Sequence, residues 1–181
     1  MMNFPIKLNN PLNILSKNIQ KKNSYTALEI AYTFIDQLHV RSLDDHNFSP
    51  TNMKIQKLLY YAQSQHMKNN KGTPLFQDDF EAWSSGPVIR NVYKEFSHYF
   101  SNPIDRPKNE KLPHLNNAAT QTINSIINKI GFFDTWRLSQ LTHKEYGAWH
   151  QVKTKEKIKD LTPSNPIISK DSIMKEVLDI E

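Results

Sequence analysis

Hydrophobic and polar positions along this chain alternate with helical period over most of its length. Ala27, Leu28, Ile30, Ala31, Phe34, Ile35 and Leu38 recur at steps of three and four and form one wide apolar stripe. Ser24 opens this helix. Thr26 followed by Glu29 reads as a capping box, in which two side chains satisfy backbone N–H groups that the first turn leaves free. Residues 39–47 form a polar connection. A second helix starts near Ser49-Pro50-Thr51, where a hydroxyl cap and a proline suit a first turn. From Met53 to Asn69 it is apolar on more than half its circumference, through Ile55, Leu58, Leu59, Tyr60, Tyr61, Ala62 and Met67. Such a helix is central, and Gly72 beyond it can take a left-handed stop.

The texture changes over residues 73–83, where Leu75, Phe76, Phe80, Ala82 and Trp83 surround Asp78 and Asp79. This stretch is expected to be extended or irregular, with at most one short strand. Gly86-Pro87 is a turn signal, and Pro87 suits the first turn of a third helix, Val88–Phe100, whose face is Val88, Ile89, Val92, Tyr93 and Phe96. Prolines 103, 107 and 113 mark a loop. Asn117–Ile130 reads as a fourth helix that stops at Gly131. Asp134 caps a fifth, Thr135–Thr142, which continues through Tyr146 and Trp149 to Val152. After Pro163 and Pro166, Ser169 and Asp171 open a short last helix carrying Ile173, Met174, Val177 and Leu178. The fold class is mostly α. The expectation is a single compact helical domain of about five or six helices over residues 24–181, preceded by a basic, irregular arm over residues 1–23.

Composition narrows the function. The 181 residues include no cysteine, which removes disulfides, thiolate metal sites and a cysteine nucleophile. No apolar run approaches the roughly 20 residues that cross a bilayer. Pro5 and Pro11 interrupt the apolar residues of the arm, so no secretory h-region forms. The expected compartment is the cytoplasm, with no membrane association. The net charge of +5 suggests nucleic acid, but its distribution argues against that partner. Residues 1–24 carry Lys7, Lys17, Lys21 and Lys22 and no acid, while the rest holds 19 basic and 18 acidic side chains. A nucleic-acid-binding domain carries its basic face on the folded part. The arm itself either folds onto a partner or is an irregular terminus.

Catalytic constellations are missing. Histidines 39, 46, 66, 98, 114, 143 and 150 show no metal-ligand spacing, although His143 and His150 can share a helix face. Ser84-Ser85-Gly86 lacks the leading glycine of a nucleophile elbow, and the four glycines are too scattered to cradle a phosphate. Asp44-Asp45 and Asp78-Asp79 are adjacent pairs, which point in divergent directions. No catalytic residue, metal ligand or cofactor site is therefore expected, and the chain is read as a non-enzyme.

Residues 51–100 carry a specific combination. Thr51-Asn52-Met53-Lys54-Ile55-Gln56-Lys57-Leu58-Leu59-Tyr60-Tyr61-Ala62-Gln63 is followed by Pro74-Leu75-Phe76. Ala82-Trp83-Ser84-Ser85-Gly86-Pro87-Val88 and Val92-Tyr93-Lys94-Glu95-Phe96 come next, and Leu138-Ser139-Gln140-Leu141-Thr142-His143 with Ala148-Trp149 lies downstream. Together they resemble the Panacea-domain (SocA-like) antitoxin family, with Ala148 standing where that family often has proline. The resemblance implies a compact helical fold and a cognate toxin protein as partner, blocked by direct binding. A proteolytic adaptor role, delivering a toxin to a ClpXP-type protease, is the alternative it implies.

Within the motif, Leu58, Leu59, Tyr61, Gly86, Pro87 and Trp149 read as structural: large groups for packing and a turn that sets an exit angle. Lys54, Gln56, Lys57 and Gln63 are polar members of an apolar helix. Lys54 and Lys57 either present cations to an acidic partner or pair internally with Asp78, Asp79 or Glu81, the latter being favoured. Trp83, Tyr93 and Arg90 complete the partner-binding candidates, since aromatic residues and arginine dominate interface hot spots.

Overall fold

A computed structural model describes residues 25–107, 112–158, 165–176 and 178. The arm expected over residues 1–23 lies outside them. Among the described residues the chain forms seven α-helices, two 3-10 turns and one small sheet.

Helix α1, Ala27–Ser42, begins at the capping box read from the sequence: the Thr26 hydroxyl accepts from the Glu29 N–H, and the Glu29 carboxylate accepts from the Thr26 N–H. Helix α2, Asn52–Asn69, is capped by Thr51. Fourteen of its 18 residues are buried, so it has no solvent face and most of the other helices pack around it. It touches α1, the short α3 (Arg90–Phe96), α4 (Asn117–Ile130), α5 (Thr135–Thr142) and α7 (Lys170–Met174). Its Leu58, Leu59, Tyr60 and Tyr61 form the centre of the core, with Tyr60 edge-on to Phe80 at 5.3 Å. Lys71 and Gly72 end it in left-handed conformation, φ 55° and 83°.

The sheet is larger than the single strand expected. Strand β1, Phe80–Trp83, pairs antiparallel with β2, Gly86–Val88, and with β3, Ile167–Ile168, in the order β2-β1-β3. Ser84-Ser85 forms the hairpin turn, and Gly86-Pro87 opens strand β2 and does not start a helix. Val88 stays extended because it pairs with Glu81 of β1, and Ile89 because Gln56 engages its backbone; both are buried, and the helix begins only at Arg90 and ends at Phe96. The expected continuation of α5 to Val152 is also broken. Residues 143–147 turn, with Tyr146 at φ 67°, before α6, Ala148–Ile158. Helices α4, α5 and α7 start where Asn116, Asp134 and Ser169 accept from the third residue beyond them. The last helix is shorter than expected: it stops at Met174, Val177 lies outside the described residues, and Leu178 lies past its end. Among the described residues no helix is long and apolar enough to cross a membrane.

Candidate partner-binding surface

The polar residues of α2 are spent inward. Gln63 accepts from the N–H groups of Leu75 (2.9 Å) and Phe76 (3.3 Å) and donates to the Phe76 carbonyl (2.8 Å). One helical heptad earlier, Gln56 accepts from the Ile89 N–H (2.8 Å) and donates to the Ile89 carbonyl (3.4 Å). Asn52 donates to the Tyr93 carbonyl at 3.0 Å. Gln56 and Gln63 satisfy buried backbone groups of extended segments, which would otherwise cost about 1–3 kcal/mol apiece, and Asn52 reaches a carbonyl of the short helix.

Lys54 and Lys57 do the same with cations, and this corrects both sequence-based alternatives. Neither presents its charge to solvent and neither pairs with Asp78, Asp79 or Glu81. Lys57 is fully buried and donates to the carbonyls of Ser85 (2.7 Å) and Pro87 (3.3 Å). Burial pushes its pKa down to about 7. Lys54 donates to the carbonyls of Asn47 (2.5 Å) and Gly131 (3.2 Å). Burial lowers its pKa to about 8, against the opposing pull of Asp134 and Asp45.

The Lys57 ammonium lies directly under the hairpin. A Cβ on Gly86 would sit 2.6 Å from the Lys57 Nζ, 3.0 Å from the Thr142 hydroxyl and 3.2 Å from the His143 Nε2. With φ at +103°, Gly86 is required by both conformation and space. His143 stacks on the Trp149 ring at 4.0 Å and 27°, and Trp149 donates to the Trp83 carbonyl at 2.8 Å. The end of α5 and the start of α6 are thus bolted to the hairpin from below. Burial and then the Lys57 charge hold His143 below the usual histidine pKa, and its buried Nε2 has no hydrogen-bond partner among the described residues.

Above the hairpin the candidate residues meet. Arg90 clamps Glu81 through two hydrogen bonds, 2.8 Å and 2.5 Å, and lies 5.2 Å over the Trp83 ring. Trp83 donates to the same carboxylate at 2.8 Å and packs on Tyr93 at 5.0 Å. Burial alone would raise the Glu81 pKa, but the hydrogen bonds from Arg90 and Trp83 bring it below the ordinary value. Tyr93 is 36% exposed and the Arg90 side chain 49% exposed, so this cluster faces outward. Trp83 and Trp149 are half-buried. Glu81 and His143 were not read as parts of this arrangement. The spacing of Gln56 and Gln63 inside an otherwise apolar helix was the available signal for the inward clamps. Among the described residues no group of three or more His, Asp or Glu side chains is placed to hold a metal ion.

Comparison with known proteins bears on what this surface serves. Antitoxin SocA of Caulobacter vibrioides (strain NA1000 / CB15N) is 47% identical over 47 residues. That match spans about a quarter of either chain, 26% of this one and 24% of the relative. No solved structure matches. The model of the family described as "Antitoxin SocA-like, Panacea domain" matches residues 55–150. That span runs from the inward-clamping helix through the hairpin to Trp149, and the chain belongs to the SocA-like Panacea-domain antitoxin family.

Proposed function

We propose that this chain is an antitoxin, acting in the cytoplasm without catalysis, that neutralises a cognate toxin protein by direct binding. The family match over the hairpin and the helix beneath it carries the reading. The Trp83–Arg90–Tyr93 face supports it, because aromatic side chains and arginine contribute most of the affinity at protein interfaces. Glu81 holds Arg90 and Trp83 in place before any partner arrives, which reduces the ordering cost of binding. Lys54 and Lys57 contribute by positioning loops, not by touching the toxin.

Co-expression with the product of the neighbouring gene tests this. Growth should stop with that product alone and resume with this chain, and the two proteins should co-purify. A non-toxic neighbour, or toxicity unchanged by this chain, removes the reading. Rescue that disappears in cells lacking ClpXP would instead favour delivery to a protease.

A further inference from the structure

A second set of aromatic and arginine residues lies over Lys54 and shares no residue with the hairpin face. Arg41 sits 5.7 Å over the Phe48 ring, and Phe48 contacts Phe132 at 6.3 Å. Phe132 is edge-on to Phe133 at 4.8 Å, and Arg137 caps the row 3.7 Å over Phe133. The row draws on four separate places in the chain: the end of α1, the 3-10 turn His46–Phe48, the α4–α5 turn and the first turn of α5. Lys54 holds two of these together by donating to both Asn47 and Gly131. Thr51 and Thr135 share a further hydrogen bond at 3.2 Å. The surface is therefore fixed by buried chemistry and not by chance contact of mobile side chains.

Two aromatic side chains of these segments remain open to solvent. Trp136 is 72% exposed and Phe132 is 42% exposed. Among the described residues neither Arg41 nor Arg137 is paired with a carboxylate, and Arg41 Nη1 is buried without a hydrogen-bond partner. A guanidinium stacked on a ring keeps its planar fork of N–H donors for a carboxylate. Asp44, Asp45 and Asp134 lie in the same segments, so a chain of phosphates would meet three carboxylates as well as two arginines. That charge balance favours a protein segment over a nucleic acid.

We infer that Arg41, Phe48, Phe132 and Arg137, seated on the buried Phe133 and flanked by the exposed Trp136 in the same turn of α5 as Arg137, form a docking surface for a protein segment presenting a carboxylate beside a large apolar side chain. The inference rests on the protein-binding role proposed above and adds a contact separate from the hairpin face.

Panning random phage-displayed peptides against the full chain tests it without knowledge of the toxin. Enriched peptides should combine Asp or Glu with a large apolar residue. Their affinity should fall about tenfold or more in Trp136→Ala and in Arg137→Glu, the size expected for a hot spot, and stay unchanged in Tyr93→Ala. Both positions are exposed, and unchanged melting curves would establish that the variants fold. No enrichment, peptides without an acid, or binding indifferent to Trp136→Ala overturns the inference. So does tight binding of a single-stranded oligonucleotide that Trp136→Ala abolishes. If wild-type chain fails to rescue growth while these peptides still require Trp136, the antitoxin reading falls and the docking surface stands.

Discussion

Two loop clusters meet the first half of α2, and each rests on one of its lysines. Lys57 supports the hairpin and Lys54 supports the aromatic row. Beneath the surface they follow one plan, a buried amine donating to two backbone carbonyls. Outside they differ. The hairpin arginine, Arg90, is already engaged with Glu81, whereas among the described residues Arg41 and Arg137 cover rings without a carboxylate partner. One region is closed upon itself and the other leaves its donors for a visitor. A buried cation thus positions loops, while the pairing above it decides how much of the surface is left for recognition.

The comparison breaks most severely at Gly86. Gly86→Ala would force a side chain into left-handed backbone and onto the Lys57 ammonium, which cannot retreat without losing Ser85 and Pro87. Destabilisation of about 3 kcal/mol or more is expected in urea denaturation. Gln63→Ala strands the backbone groups of Leu75 and Phe76 and should cost about 2 kcal/mol by the same measurement.

Acidity separates the two lysines. Burial brings Lys57 to about 7 from 10.5, so between those values the unfolded chain holds a proton that the folded chain has released. Stability therefore rises with pH across that window, by at most about 1.4 kcal/mol per pH unit. For Lys54 the window opens only at about 8. Lys57→Met should flatten the rise of stability with pH more than Lys54→Met does, because burial lowers Lys57 further. An equal slope in both variants would mean that the lysines are not distinguished by burial. The smallest effects belong outside: Trp136→Ala should move stability by no more than about 0.5 kcal/mol. Arg90→Ala should leave the denaturation midpoint almost unmoved, because an exposed ion pair contributes little to folding.

Helix starts were legible because they are local. Thr26 with Glu29, Asp134 and Ser169 each cap within three residues, and the isoleucine stripe of α4 needs no distant partner to be recognised. Residues 86–89 were misread because their strand character depends on β1 and Gln56, contacts that no local pattern announces. The β3 pair, Ile167–Ile168, meets β1 across more than eighty residues and left no trace in periodicity. Lysine is almost never fully buried without a partner, so Lys54 and Lys57 were read as pairing with Asp78, Asp79 or Glu81 or as facing an acidic partner, and not as buried donors to carbonyls. The aromatic row was hidden for a similar reason: Arg41 and Phe48 are more than eighty residues from Phe132 and Arg137, and only the folded α2 brings the two segments together.

Gln56 and Lys57 have one more consequence. They occupy the backbone groups of Ser85, Pro87 and Ile89 on the side of β2 that faces away from β1. A helix here substitutes for the next strand of a sheet. Unsealed sheet edges recruit strands from other molecules and seed fibrils. On this side of the sheet that route is shut by side chains, so any protein approaching this edge meets side chains and not free strand donors and acceptors.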